Sequence, residues 1–600
     1  MAVRIKSCTE AIDYLLKEIS GAIRLGAPLG LGKPNVFLNQ LFDRLRVQPE
    51  RQLELYTALS LDVPKPDGFL AERFLGIFLE RHFGADYPWL KYVRERHHLP
   101  ANFRVYEFFT LAGSALSDSH AQRNHISLNY THAASGLLDR GLNAIVQIVA
   151  RDSSGRLSLS CNPDVTLDLD RMARERKQRV FKIAFVHPEL PFLEGQAVVK
   201  EEFFDAVVEE PESYRLFALP RRPVDETSHA IGLYASSLVA DGGTLQIGIG
   251  ELGDALAWSL CLRQSENSHY GEILAKLGVE SESPFNAGLF GLSEMVTDSL
   301  LRLREAGILK REITTPDGHR LFLQGGFGLG SKWFYERLRK LSENERHGIA
   351  MCPISEINDL YDPDETELRR ERSRARFFNT AMEVNLLGGA MSDTLDNGLV
   401  VSGVGGQYNF VAMAHELSDA KSVLMLRSTR TKKGRRFSNI TFHGGHLTIS
   451  RHLRDTVVTE YGVAELRARS DEECIRAMIE IADAEFQPAL IKAAQRVGKL
   501  SSSYNLPERA RNNTTQALKS RLAGVSLPSF PFGSDFTPEE ERLALALERL
   551  QKNGPSGLVR FLARGLVNRG FESELKRMGL GRARGPTELF WKCMLRGALD

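Results

Sequence analysis

One order of elements, apolar strand, glycine turn, helix, recurs along this chain and constrains its fold more than any other feature. TLQIGIGELGDALAWSL (244–260) passes from an apolar strand through Gly248-Ile249-Gly250 into a helical pattern. GLFGLSEMVTDSLLRLREAG (288–307) repeats the order by way of Ser293-Glu294. Parallel strands need a crossover between them, so strands alternating with helices predict parallel sheets covered by helices. NAIVQIVA and VFKIAFV add strands upstream, and the alternation continues to about residue 490. The expected fold class is α/β: two tandem α/β domains with mostly parallel sheets, plus helical N- and C-terminal extensions.

The expected divisions are 1–95, a helical N-terminal extension; 96–225, a first α/β domain; 226–500, a second; and 501–600, a linker with a helical C-terminal extension. LNQLFDRL and ERFLGIFLERHF place apolar residues at three- and four-residue intervals, as helices do. Near SSSYN (501–505) the alternation lapses. A helix restarts at Thr537-Pro538-Glu539-Glu540, with Thr as N-cap, Pro at the first helical position and Glu three residues after the cap.

Charge narrows the partners. Lys+Arg 77 against Asp+Glu 76 leaves a net charge of +1, so no overall field draws the chain to nucleic acid or to an anionic membrane. No apolar run reaches the roughly 18 residues of a membrane span, and the amphipathic start lacks the apolar core of a signal peptide. Six cysteines are scattered without a CxxC pair, which reads as reduced thiols in a cytoplasmic protein. His443-Gly444-Gly445-His446 has no third ligand at zinc-site spacing, so no metal is expected.

Three glycine-rich turns follow strands: Gly248-Ile249-Gly250, Gly288 to Gly291, and Gly403-Val404-Gly405-Gly406-Gln407. Each alone reads as a tight turn. As a set they let backbone approach a ligand closely and offer free helix N–H groups. GIGELG lacks the spacing of a dinucleotide loop, and GVGGQ is not followed by Gly-Lys-Ser/Thr, which disfavours NAD and ATP. Glu294 is expected in the first turn of a helix, where a carboxylate complements the dipole or serves as base, ligand or nucleophile. RSTRTKKGRR (427–436) carries six cations in ten residues, either a solvated loop or a clamp on a polyanionic small molecule.

Together with QGGFGLGSKWFYERL, FFNTAMEVNLLG, GVGGQYNF, VVTEYGVAELR and, upstream, NYTHAASGLLDRGLNAIVQIVA, these segments resemble the acetyl-CoA hydrolase/CoA-transferase family. The branch is that of family I CoA-transferases containing 4-hydroxybutyrate CoA-transferase, and the resemblance spans roughly 100–495. It implies CoA-transferase-type domains, no permanently bound cofactor, coenzyme A as substrate, an acyl-CoA and a small carboxylic acid as partners, and association into a homo-oligomer. Glu294 matches the family's nucleophile, which forms an acyl anhydride and then a glutamyl-CoA thioester. The Gly406 N–H and Asn358 match its oxyanion hole. Gly248, Gly250, Gly403, Gly405 and Gln407 would line the CoA cleft, with Arg427, Arg430, Lys432 and Lys433 supplying cations for phosphate. The chain departs at Asn409, where aspartate is common, and at Gly291-Leu292-Ser293, where a small residue, His and Thr or Ser are frequent. Water reaching the intermediate would make the same residues an acyl-CoA hydrolase. Binding acyl-CoA without turnover is the remaining alternative.

Overall fold

In the computed structural model the described residues are 2–600 except 64, 65, 67, 210–212, 316, 317, 362–364, 433, 553 and 554. Two large sheets organise the chain. Across the first, from one edge, lie Val3–Ile5, Ala206–Val208, Phe181–Val186, Ala144–Arg151, Ile23–Gly26, Leu53–Thr57 and Phe103–Glu107. All these neighbours are parallel, while the short strands Leu157–Ser158 and Val198–Val199 join in antiparallel fashion. Ala144–Arg151 reads AIVQIVAR and is buried for seven of its eight positions, as a central strand covered on both faces must be.

This arrangement corrects the expected first boundary. Residues 1–95 do carry helices, at Cys8–Glu18, Asn35–Arg46 and Phe69–Phe83, yet Val3–Ile5, Ile23–Gly26 and Leu53–Thr57 are parallel strands of the first sheet. The first α/β domain therefore begins at the amino-terminal strand, not near residue 96.

The second sheet runs Ile349–Met351, Leu323–Gly328, Phe290–Val296, Thr244–Ile247, Arg376–Thr380, Lys421–Met425, Thr456–Thr459 and Gly462–Glu465. Only its last pair is antiparallel. Chain order builds outward from Thr244–Ile247 to one side and then from Arg376–Thr380 to the other. The strand order thus reverses between those two strands, and crevices at such reversals lie beyond the carboxyl ends of the strands.

The C-terminal helices pack on a helix of the first domain. Phe69–Phe83 packs with Pro538–Lys552, Glu572–Arg577 and Pro586–Leu599 around Phe74, Leu543, Leu575 and Leu595, a cluster separate from the sheet cores. Glu540 accepts from Arg81 Nη1 (2.9 Å) and from Arg577 Nε (2.8 Å). The expected cap is present: Glu540 N–H donates to Thr537 Oγ1, and the Glu540 carboxylate accepts from Thr537 N–H. The expected end of that helix, at Asn553-Gly554, lies outside the described residues. All six cysteines are free. Among the described residues no helix is long and apolar enough to cross a membrane.

Candidate active site

Glu294 belongs to a strand, contrary to the expectation of a helix's first turn. Pairing with Leu323–Gly328 continues through Met295↔Phe327 and Val296↔Gly328, which holds the backbone extended past the glutamate. The helix Asp298–Glu305 starts only after its N-cap Thr297. On the other side Leu245 pairs with Gly291, and Thr244–Ile247 then ends. By that register Glu294 comes level with Gly248, where the neighbouring strand has already turned away. The carboxylate consequently stands at the mouth of the crevice at the strands' carboxyl ends.

Two other segments close on it. Asn358, wholly buried at the end of the short helix Ile354–Asn358, donates from Nδ2 to Glu294 Oε1 at 2.9 Å. The Gly406 N–H also donates to the Glu294 carboxylate. Asn358 Nδ2 lies 3.4 Å from the Gly406 carbonyl oxygen, so all three residues form one cluster. Glycine at 406 leaves room for the carboxylate, because a Cβ there would lie 1.6 Å from Glu294 Oε1 and one of the two would have to shift. Lost hydration pushes the Glu294 carboxyl up to about 7, against the opposing pull of Asn358 and the Gly406 N–H. The expectation that a helix N-terminus keeps this carboxylate ionised is thus replaced: two aimed N–H donors work against a dry environment.

The first domain holds both closing segments. The Tyr130 N–H donates to the Gly405 carbonyl (3.0 Å), and Asn409 Nδ2 donates to Thr131 Oγ1 (2.9 Å). Ser355, on the helix of Asn358, donates from N–H (3.0 Å) and Oγ (2.6 Å) to the buried Asp168 carboxylate. Tyr130 gives its hydroxyl to Asp164 Oδ2 at 2.6 Å, and burial pushes the Asp164 carboxyl up to about 7. Sequence reasoning did not single out Thr131, Asp164 or Asp168 in this anchoring, although NYTH stood among the resembling segments. Asn409, where the family pattern has aspartate, needs no charge here, since it is buried and bonds a hydroxyl.

The other expected residues divide. Gly248 and Gly250 form the turn into the helix Glu251–Ser265, and Gly250 has φ +112°, which favours glycine. Gly403 and Gly405 press on the first domain's Phe109. Gln407 opens the helix Gln407–Glu416 and ties it to the Thr380 carbonyl. The cation expectation needs correcting. Arg427 is already engaged, paired through two bonds of 2.9 Å with Asp225 and one of 2.8 Å with Glu251. Two carboxylates around one guanidinium leave no surplus positive charge for a phosphate. Arg430 pairs with Glu383 and Asn439 on the hairpin Thr429–Lys432/Arg435–Ser438, where Lys432 is exposed without an ion-pair partner among the described residues. Lys433 lies outside the described residues. Among the described residues no cluster of His, Cys, Asp and Glu is arranged to hold a metal.

Residues 330–494 match the model of the acetyl-CoA hydrolase/transferase C-terminal domain. Over that segment the chain is similar to the acetyl-CoA hydrolase/transferase family. It is 28% identical over 350 residues to a 4-hydroxybutyrate coenzyme A transferase of Clostridium kluyveri, covering 58% of this chain and 71% of that one. It is 24% identical over 419 residues to a succinyl-CoA:cyclohexane-1-carboxylate CoA transferase of Geobacter metallireducens, covering 68% and 86%. In fold it resembles RipA from Yersinia pestis, with TM-score 0.62 and 20% identity over 83% of this chain and 98% of that one. The structure of a 4-hydroxybutyrate CoA-transferase from Porphyromonas gingivalis gives TM-score 0.54 at 20% identity, covering 82% and 98%.

Proposed function

We propose that the protein is an enzyme that moves CoA between an acyl-CoA and a carboxylic acid, with Glu294 as the group that carries it. The observation behind this reading is the Glu294 carboxylate at the crevice mouth, held by Asn358 Nδ2 and the Gly406 N–H. The names of the Clostridium and Geobacter relatives, both CoA transferases, support the reaction class.

The chemistry needs no metal or proton shuttle. A Glu294 oxygen attacks the thioester carbonyl, the C–S bond breaks, and CoA leaves as thiolate. The thiolate attacks the glutamyl carbonyl of the resulting anhydride, releasing the first acid as carboxylate and leaving CoA on Glu294 as a thioester. A second carboxylate attacks that thioester and expels the thiolate, which then attacks the incoming acyl group and frees Glu294. Each addition places negative charge on a carbonyl oxygen, and Asn358 and the Gly406 N–H are the donors within reach of it. Excluding water favours transfer over hydrolysis, and the anchoring of the glycine loop on Tyr130 and Thr131 narrows the crevice on that side.

Initial rates measured with an acyl-CoA and acetate varied together test this reading. Parallel double-reciprocal lines are expected; release of free CoA at the same rate without any acid would instead mark a hydrolase.

A further inference from the structure

A cavity of about 690 Å³ lies on the face of the second sheet that also bears Glu294. Phe290 and Leu292 line it and share that face, being four and two residues before Glu294 on one strand. Leu292 is therefore roughly 7 Å from the glutamate along the strand. Gln324 and Ala350 continue the cavity floor on the next two strands, in register with Leu292. Val198 closes it from the first domain. Its volume falls in the range of small-molecule sites, about 300–1,000 Å³.

Two features define what it takes. Among the described residues the lining holds the carboxylates of Glu194, Glu356, Glu367 and Glu371 against the guanidiniums of Arg156 and Arg372, with His319 and His347 beside them. Both cations are engaged: Arg156 with Asp152 (2.7 Å) and Glu194 (3.2 Å), Arg372 with the carbonyls of Glu356 (3.2 Å) and Ile357 (3.1 Å). An anionic guest would meet an excess of negative charge. Second, Gln324 is only 8% exposed, lines the cavity, and its side chain has no hydrogen-bond partner among the described residues. An amide that faces the cavity in this way offers a ligand both a donor and an acceptor.

We infer that this cavity is a ligand site distinct from the Glu294 cluster, shaped for a small molecule with an apolar body and an uncharged hydrogen-bonding head that meets Gln324. It communicates with the carboxylate through one short helix: Glu356 lines the cavity, and Asn358, two residues on, holds Glu294. Ile354 of the same helix packs over Gly326, the residue beside Glu294 on the next strand. The same chemistry could be supplied by the acyl end of a bound acyl-CoA or by a free molecule.

Calorimetry with the full chain and two matched probes, hexanamide and hexanoate, tests the site independently of turnover. Hexanamide is expected to bind the wild type at least ten-fold more tightly than hexanoate. Gln324→Leu, which keeps bulk and removes the amide, should weaken hexanamide about five- to ten-fold, the worth of one hydrogen bond. Val198→Trp, which fills the cavity from its rim, should weaken it by more than ten-fold, with circular dichroism showing the native fold. Equal binding of both probes, or unchanged hexanamide binding in both variants, would overturn the assignment. Saturating hexanoyl-CoA then separates the sources: displacement of hexanamide makes the guest the substrate's own chain, and simultaneous binding makes it a free molecule. Because binding is read directly, failure of the CoA-transfer reading leaves this test intact.

Discussion

Asn358 Nδ2 stands 2.9 Å from Glu294 Oε1 and 3.4 Å from the Gly406 carbonyl oxygen, so a single side-chain amide spans the carboxylate and the glycine loop. A group aimed at the reacting atoms in this way should affect turnover more than substrate binding. Asn358→Ala is expected to lower kcat by about 10²–10³, the usual loss for one oxyanion donor, with a smaller change in KM. Asn358→Asp should be more damaging still, since it sets a like charge beside Glu294. Steady-state kinetics of both variants provide the check.

Glu294 titrates near 7 in the folded protein, above the ordinary 4.5, because burial disfavours its charged form. Only the ionised carboxylate is a nucleophile, so the rate should rise with pH through about 7 and level off above it. Stability runs the opposite way. A raised carboxyl pKa means the folded chain holds its proton longer than the unfolded one, so this residue's contribution is present below about 4.5 and is lost as pH rises through about 7. Glu294→Gln should gain stability relative to wild type across that window, as urea melts at several pH values would show.

Gly406→Ala is expected to be inactive, because the added methyl would sit 1.6 Å from Glu294 Oε1 and 2.3 Å from Asn358 Nδ2. Either the carboxylate or the loop must then move. Circular dichroism should show a folded protein, and incubation with acyl-CoA should leave Glu294 unmodified.

Glu540 has a fully buried side chain between Arg81 and Arg577, and these partners hold its carboxyl down to about 2. Glu540→Ala should cost about 3 kcal/mol, the low end for one partner of a buried pair, since Arg81 is 43% exposed. The wild-type contribution is present above about 4.5 and fades as pH falls toward about 2. Thermal melts of the variant against wild type at pH 7 and pH 3 should therefore converge at the lower value.

Local pattern carried the strand and helix order of the second domain, and it carried Glu294 as the residue to watch. It misplaced that residue on a helix because the strand's end is set by its partner, through Val296↔Gly328, not by its own spacing. Ile23–Gly26 and Leu53–Thr57 escaped notice for a similar reason. They are four and five residues long, sit among helical spacings, and become strands by pairing in the first sheet, Ile23–Gly26 reaching across to Ala144–Arg151. Arg427 looked available for phosphate because its carboxylate partners, Asp225 and Glu251, are remote in the chain and are brought to it only by folding. Asn358 and Gly406, by contrast, were reached through resemblance, and the fold places both on Glu294.

In this mechanism Glu294 itself carries CoA. Intact-mass measurement of the protein incubated with a panel of acyl-CoAs, followed by peptide mapping, tests it most directly. A CoA adduct is expected on Glu294 that discharges when acetate is added and is missing from Glu294→Ala. Free CoA accumulating with no adduct on Glu294, or an adduct that persists in Glu294→Ala, would contradict it.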